Sequence, residues 1–369
     1  MDPWRGTSVF LTGHTGFKGA WLALELARRG AVVHGYALHP EGPHNLFELA
    51  GVAKVLASDV RADLADAERL ETSLRRSDAQ VVFHLAAQAM VGEGHRDPLG
   101  TFGANVMGTV HLLDGMRRCP SVRAAVFVTT DKVYRNNETG RPFYEGDALG
   151  GDDPYSASKA AAELAVHAYA ASYFAAPGAP RIATARAGNV IGGGDLAVGR
   201  LVPDCLAAFA AKEPVRLRTP DAVRPWQHVH DPLRGYLRLA EALLGPQGAE
   251  FVGAWNFGPA AEDCASVLDV VTQLVSLWGG CTRVERQADG VGHAFGPEAQ
   301  RLRLDSTRAE RELGWRRRYD LRRSLEATVA WQRAWLGGRC MENYSHSQVS
   351  GDFARVSRHG DVPARGNAA

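Results

Sequence analysis

Residues 8 to 12, Ser-Val-Phe-Leu-Thr, run into the glycine turn Thr12-Gly13-His14-Thr15-Gly16-Phe17-Lys18-Gly19, and a helical pattern through Trp21, Leu22, Leu24, Leu26 and Ala27 follows. The first segment is rich in β-branched and large apolar residues, which predicts a short buried strand. Glycines at 13, 16 and 19 let the chain turn tightly before the helix. They bring backbone N–H groups and the positive helix end against a pyrophosphate. A strand, glycine turn and helix in this order constrains the fold more than any other feature of the chain. It opens an α/β protein of the Rossmann type, a doubly wound parallel sheet with helices on both faces.

The next segments extend that sheet. Val32 to Ala37 predicts a second strand, leaving through Tyr36-Ala37-Leu38-His39-Pro40. A carboxylate at this exit would read a ribose 2′-hydroxyl, and an Arg would claim a 2′-phosphate. Neither stands in that exit segment. Asp59-Val60-Arg61 follows a predicted third strand and suits a contact with an adenine edge. Val81 to Leu85 is a fourth strand, closed by Ala86-Ala87-Gln88. Val126 to Thr129 is a fifth, which delivers Thr130, Asp131 and Lys132 to its carboxyl end. Open α/β sheets bind their ligands at that edge.

Tyr155 and Lys159 lie in the stretch Asp153-Pro154-Tyr155-Ser156-Ala157-Ser158-Lys159. Four residues apart on a helix, they share one face. An ammonium there is expected to favour the phenolate and lower a phenol pKa from about 10. That would make Tyr155 a general base for a sugar hydroxyl. The pair alone also suits an ordinary amphipathic helix. Its place after a Thr129-Thr130-Asp131-Lys132 strand end is what separates the two readings.

Composition narrows the class further. The 369 residues, 45% hydrophobic, suffice for a large core, and the net charge of +1 favours neither nucleic acid nor an anionic membrane. No apolar run approaches the roughly 20 residues that span a bilayer. The opening Met-Asp-Pro-Trp-Arg-Gly lacks the basic, apolar and cleavage regions of a signal peptide, so a cytoplasmic enzyme is expected. The five cysteines, Cys119, Cys205, Cys264, Cys281 and Cys340, lack metal-ligand spacing and read as reduced thiols, with no metal expected. No internal repeat is visible.

The predicted organisation is interleaved. Residues 1–190 form the dinucleotide-binding domain, with return segments near 225–260. Residues 191–339 form a smaller, mostly C-terminal α/β substrate-binding lobe. It takes in a helix at 201–211, a strand at 215–218, a helix at 267–277 and further segments to 336. From Cys340 the composition turns to Ser, Gly, Arg, His and Pro with little apolar periodicity, and 340–369 reads as a flexible tail.

Taken together, TGHTGFKGAWLALEL, FHLAAQ, NVMGTVHLLD, TTDKVY, DPYSASKAAAEL, RAGNVIGGGD, RPWQHV and WNFGP resemble the bacterial CDP-glucose 4,6-dehydratases. These are extended short-chain dehydrogenase/reductases of deoxysugar biosynthesis. The likeness runs from about residue 8 to 337. Lys18 in the glycine turn, Lys132 after Asp131, and RPWQHV at 224–229 are the narrower parts of it.

The resemblance implies NAD as the cofactor, held by Gly13, Thr15, Gly16, Phe17, Lys18, Gly19, Asp59, Val60, Leu85, Ala86, Ala87, Gln88, Asn105, Thr129, Tyr155 and Lys159. It implies a nucleotide sugar, CDP-glucose first, as the substrate. Thr130, Asp131, Lys132, Tyr155 and Lys159 would be catalytic. Tyr155 would be the base for the 4-hydroxyl, Thr130 would hold that hydroxyl, and Lys159 would lower the Tyr155 pKa and bond the nicotinamide ribose. Asp131 would be the acid for the departing 6-hydroxyl and Lys132 a base at carbon 5. Asn189 would bond a substrate phosphate or sugar, with Arg186 either orienting it or structural. Arg200, Arg218 and Arg224 suit a pyrophosphate clamp, since a planar fork matches phosphate oxygens. Trp226 and His228 either wall the cytosine pocket or pack in the core.

Two segments depart from the resemblance. Met90-Val91-Gly92-Glu93-Gly94-His95 stands where the family reads Leu-Val-Arg-x-Ser-Tyr, and Gly296-Pro297-Glu298-Ala299 where it reads Pro-His-Glu-Ala. A dehydratase or epimerase acting on another nucleotide sugar, and a non-catalytic NAD-binding regulator, are the competing readings. An acid next to the strand end argues against a simple epimerase, and the intact Thr130, Tyr155 and Lys159 against a regulator. The helix from Gly103, with Val106, Val110, Leu112 and Leu113, and the Tyr155 helix, with Ala160, Ala161, Leu164 and Ala168, are expected to pair with a second copy. The expected assembly is a homodimer or homotetramer.

Overall fold

The computed structural model describes residues 2–280, 282–286 and 301–350. In chain order its strands are β1 (Ser8–Thr12), β2 (Val32–Ala37), β3 (Ser58–Arg61), β4 (Val81–His84), β5 (Ala124–Val128), β6 (Arg181–Ala187), β7 (Asn189–Ile191), β8 (Val215–Leu217), β9 (Val223–His228), β10 (Gly253–Phe257), β11 (Cys264–Ser266) and β12 (Val284–Arg286). Seven of them form one parallel sheet in the order β10-β6-β5-β4-β1-β2-β3. The chain builds outward from β1 to β3, then crosses back to begin β4 on the other side of β1. That reversal leaves a crevice beyond the carboxyl ends of β1 and β4, the ligand position of a doubly wound sheet.

Both faces of the sheet are covered, which is why β4 and β5 are buried without alternation. On one face, helices Phe17–Arg28 and His230–Leu244 bury Trp21, Leu22, Leu233, Tyr236 and Leu237 against Val9, Leu11, Val126 and Ala185. On the other, helices Ala67–Ser77, Gly108–Met116 and Pro154–Tyr173 bury Leu70, Leu74, Leu112, Leu113 and Val166 against Phe10, Val82 and Phe127. Leu112, Leu113 and Ala160, expected on an outer stripe, are therefore spent on the interior.

A separate core lies beside the main sheet. Val202, Cys205, Leu206 and Phe209 of helix Leu201–Ala211 meet Val270, Val271 and Leu274 of helix Val267–Trp278 and Leu321, Leu325 and Val329 of helix Leu321–Leu336. The three-stranded sheet β11-β9-β7 and the pair β12-β8 belong to this region. Of the return segment expected near 225–260, β9 joins this small sheet, while helix His230–Leu244 and β10 join the main layers.

The tail expected from 340 is a helix over Met341–Val349. Met341, Tyr344, Ser345 and Gln348 are buried at helical spacing, and the Trp331 indole donates to Ser345 Oγ at 3.0 Å. Two of its inward residues are polar, so apolar periodicity did not reveal it. The departure at 296–299 and Cys281 lie outside the described residues. Among the described residues no helix is long and apolar enough to cross a membrane, and no group of His, Cys, Asp and Glu is arranged to hold a metal.

Candidate active site

The glycine turn closes on itself and on the β4 edge. Gly13 has φ +76°, and a Cβ there would stand 2.6 Å from Ala86 N; a Cβ on Gly19 would stand 2.0 Å from the Gly13 carbonyl oxygen. Only glycine fits either place. Gly16 is different: it is exposed, a Cβ there would meet nothing nearer than 3.4 Å, and as N-cap of helix Phe17–Arg28 it offers no side-chain cap. The first-turn N–H groups therefore face an open cradle, which suits a pyrophosphate. Leu85 N and Ala86 N both donate to Thr12 Oγ1 at 3.2 Å, which holds the β4 loop against the turn.

The expected cofactor contacts divide in two. Thr15, Phe17, Lys18, Ala86 and Ala87 are half-buried along this crevice, and the Thr15 hydroxyl donates to Leu38 O at 3.1 Å. Others are already engaged. Asp59 lies inside β3 rather than after it, and its carboxylate takes His14 Nε2 at 2.8 Å and Arg61 Nη2 at 2.7 Å. Val60 is half-buried beside the second helix layer. Asn105 accepts from Gln88 N at 2.9 Å and donates to Gln88 O at 3.0 Å and to Ser158 Oγ at 2.9 Å. Its amide is a clamp between the β4 loop and the Tyr155 helix. Reading the β2 exit from neighbouring residues alone also missed Arg61. It sits opposite Ala37, donates to Leu38 O at 3.3 Å and stacks on Phe47 at 4.4 Å.

Helix Pro154–Tyr173 begins where its sequence says it must. Asp153 caps the Ser156 amide at 2.9 Å, and Pro154 supplies the pre-set φ of the first turn. Its next residue, Tyr155, is buried with its phenol near Thr130. Burial pushes that phenol up to about 12, and Thr130 works against the rise. The expected lowering by Lys159 is absent from this arrangement. Lys159 Nζ donates to the Val128 carbonyl at 2.9 Å, and burial brings its amine down to about 8, opposed by the Glu163 charge.

Asp131 is buried at the end of β5. Its Oδ1 accepts the Thr130 hydroxyl at 3.0 Å, and Oδ2 has no hydrogen-bond partner. Lys132 is half-buried, more open than Lys159. Lys18, in the first turn of the glycine-loop helix, is likewise driven down to about 8 by burial, with Arg200 and Lys159 adding repulsion and Asp131 and Asp195 opposing it. Cations and carboxylates from four parts of the chain thus share one crevice.

The expected substrate residues separate. Asn189 is half-buried in β7 opposite Trp226. Arg200 Nη1 donates to both Asp195 oxygens at 3.0 Å, a partner the sequence reading did not name. Arg218 is exposed just after β8, and Arg224 is buried with Nη1 donating to Val223 O at 3.1 Å. His228 is 1% exposed and stacks on Tyr319 at 4.2 Å; Trp226 is buried with its indole donating to Ala265 O at 3.0 Å. For both, these contacts match the packed one of the two alternatives. Arg186 is structural in its contacts, buried and paired with Glu163.

Residues 9–252 match the family described as NAD dependent epimerase/dehydratase family. The chain belongs to that family. It is 41% identical over 359 residues to a CDP-glucose 4,6-dehydratase of Salmonella typhimurium, covering 96% of this chain and 98% of that one. It is 31% identical over 343 residues to a dTDP-glucose 4,6-dehydratase of Streptomyces griseus, covering 89% and 96%. The fold superimposes on a dTDP-glucose 4,6-dehydratase of Bacillus anthracis in complex with NAD, with TM-score 0.74, 23% identity, and coverage of 90% and 99%. Within an NAD dependent family, the open cradle at Gly16 and the closed turn at Gly13 and Gly19 are the parts that fit a dinucleotide.

Proposed function

We propose that this protein converts CDP-D-glucose to CDP-4-dehydro-6-deoxy-D-glucose and water, as a cytoplasmic NAD-dependent hydro-lyase. The observation that carries the reading is one hydroxyl between an acid and a base. The Thr130 hydroxyl donates to the Asp131 carboxylate, whose second oxygen is buried and free, and acts on the buried Tyr155 phenol from the other side. An epimerase needs the first pair; a dehydratase also needs an acid for a leaving hydroxyl. The 41% identity to a named CDP-glucose 4,6-dehydratase supports CDP as the nucleotide.

When bound, NAD supplies the acceptor for the hydride from carbon 4 and the donor that returns it to carbon 6. The Gly13–Gly19 turn and Lys18 would hold its pyrophosphate, and Lys159 would hold its nicotinamide ribose. Tyr155 takes the proton of the 4-hydroxyl while Thr130 keeps that hydroxyl in line. The resulting ketone acidifies the carbon 5 proton, which Lys132 is placed to remove. Asp131 gives its proton to the 6-hydroxyl, which leaves as water, and the carbon 5–carbon 6 double bond forms. As hydride returns to carbon 6, Lys132 gives a proton back to carbon 5, which completes the 6-deoxy sugar. Asn189, Arg200, Arg218 and Arg224 are proposed for the nucleotide and its phosphates, Arg200 by exchanging Asp195 for phosphate oxygens.

We assign residues 1–190 with helix His230–Leu244 and β10 to the cofactor domain, and most of 191–339 to the substrate lobe. We also propose a homodimer, or a homotetramer built from it, through helices Pro98–Phe102, Gly103–Met107 and Pro154–Tyr173. Leu99, Phe102, Met107 and Leu164 on these helices are exposed.

Incubation with CDP-, dTDP-, UDP- and GDP-glucose, read by 4-keto product, tests the substrate. Product from dTDP-glucose but not CDP-glucose would overturn it. Tyr155→Phe is expected to bind NAD and nucleotide sugar as wild type does and to form no ketone. Turnover near the wild-type rate would remove Tyr155 as the base.

A further inference from the structure

The Tyr155 helix carries a third inward group that the steps above leave unused. Glu163 follows Lys159 by four residues, on the same helix face, and is 5% exposed. Its Oε1 accepts the Thr129 hydroxyl at 2.6 Å and Arg186 Nε at 2.8 Å. Its Oε2 accepts the Thr184 hydroxyl at 3.3 Å and Arg186 Nη2. Arg186 continues the chain by donating to the Tyr134 phenol at 2.7 Å, and that phenol donates to Asn256 Oδ1 at 2.7 Å. A buried ion pair is weak evidence of a stabilising role, because apolar residues of similar volume often serve as well. What distinguishes this pair is its place. Thr129 immediately precedes Thr130 and Asp131, and Lys159 is one helical turn away.

We propose that Glu163 is a positioning residue: through Thr129 it fixes the backbone from which Thr130 and Asp131 extend, and through its charge it keeps Lys159, one helical turn from Tyr155, cationic. This rests on the dehydratase reading for the roles of those four residues. Lys159 is faced by Glu163 from its own helix, by His84 from β4 and by Lys18 from the glycine-loop helix, and its ammonium is bonded to the Val128 carbonyl. His84 is held neutral and Lys18 repels, so neither favours the charged amine. Glu163 does. Burial pulls the other way and brings the amine to about 8, so the group sits where a neighbouring charge decides its state near neutral pH.

Two substitutions separate the two actions. Glu163→Gln keeps an amide oxygen for Thr129 and removes the charge; Thr129→Val removes the hydrogen bond and keeps the charge. The pH profile of kcat/KM is measured for both and for wild type, on whichever nucleotide sugar wild type turns over. For Glu163→Gln the alkaline limb is expected to move to lower pH, with activity above it falling about tenfold for each pH unit of movement and the KM for nucleotide sugar nearly unchanged. For Thr129→Val kcat is expected to fall at every pH with the limb in place. A Glu163→Gln enzyme that melts like wild type and keeps its limb overturns the electrostatic action. Undiminished kcat in Thr129→Val, an isosteric change expected to fold, overturns the anchoring action. Wild-type inactivity on CDP-glucose with turnover of another nucleotide sugar overturns the substrate assignment alone, and the limb is then read on that sugar.

Discussion

The Thr130 hydroxyl lies 3.0 Å from Oδ1 of Asp131, while Oδ2 of the same carboxylate is buried with no hydrogen-bond partner. A Cβ at residue 188 would stand 3.1 Å from that free oxygen and 2.6 Å from Pro225 Cγ, so Gly188 leaves the carboxylate its room. A buried polar atom left unpaired costs about 1–3 kcal/mol. It persists where a ligand group completes it, and the 6-hydroxyl of the sugar is the group the reaction requires.

Asp131→Asn and Lys132→Ala are therefore expected to oxidise carbon 4 and then stall before water is lost. The reduced nicotinamide should accumulate on the enzyme and be visible by its absorbance in a single turnover. Unimpaired 6-deoxy product from both variants would remove these residues from the elimination.

Gly94 sets the seat of Tyr155. A Cβ on Gly94 would come 3.1 Å from Tyr155 N and 3.3 Å from Tyr155 Cβ, closer than neighbours tolerate without moving. Gly92, two residues earlier on helix Val91–Arg96, would meet nothing within 4 Å. Gly94→Ala should displace the phenol by a few tenths of an ångström and lower kcat roughly tenfold, since a 1 Å misplacement can cost about a hundredfold. Gly92→Ala should leave kcat near wild type. Equal effects of the two would show that helix content, not the Tyr155 contact, is responsible.

How far the sequence carries the fold is clear from these elements. The β1 strand, its glycine turn and the edge loops at Ala86 and Thr130 follow from local chemistry, because period, glycine placement and strand order are written in neighbouring residues. Side-chain partners are not. Asp59 is taken by His14, 45 positions away, and Asn105 by Gln88, 17 away; neither pairing has a local signature. His228 stacks on Tyr319 from a strand buried on both sides, which spacing within RPWQHV does not reveal. Glu163 did carry a signal: it repeats the four-residue step from Tyr155 to Lys159. Its partner Arg186 arrives only when β6 lies beside the helix.

Acid should unfold the protein through its buried histidines. Burial drives His84 and His230 down to about 3 and His228 well below its ordinary range. Unfolded histidines titrate near about 6.5. Above that pH both states are neutral and stability is flat. Below it the unfolded chain takes up protons that the folded one refuses, so stability falls as pH drops toward the folded value. One such histidine costs about 2 kcal/mol by about pH 5. His230 Nε2 has no hydrogen-bond partner and its ring lies 4.9 Å from Trp21, so His230→Phe removes the titration with little polar loss. Denaturant melts at neutral and acid pH should show a shallower acid loss in His230→Phe; equal losses would exclude His230 as a contributor.

The proposed dimer face makes a prediction that does not depend on the chemistry. Leu99 is 86% exposed, Leu164 60%, Met107 48% and Phe102 39%, all on the adjoining helices named for assembly. Val106 and Val110 are half-buried and Ala168 exposed on the same side, so the residues expected to pair but found inside, Leu112, Leu113 and Ala160, are not needed to form the patch. Scattered apolar side chains on a surface need no explanation, but a clustered set on neighbouring helices marks an interaction surface. Residues 98–107 and 161–168 meeting their own copies would give a closed two-fold contact. Light scattering should then report a mass at least twice the 39.8 kDa of one chain. Met107→Glu with Leu164→Glu puts like charges into a desolvated contact and should return the protein to one chain, with its fold intact by circular dichroism. A wild-type mass of a single chain at micromolar concentration, or an assembly untouched by both substitutions, would mean that these helices face solvent.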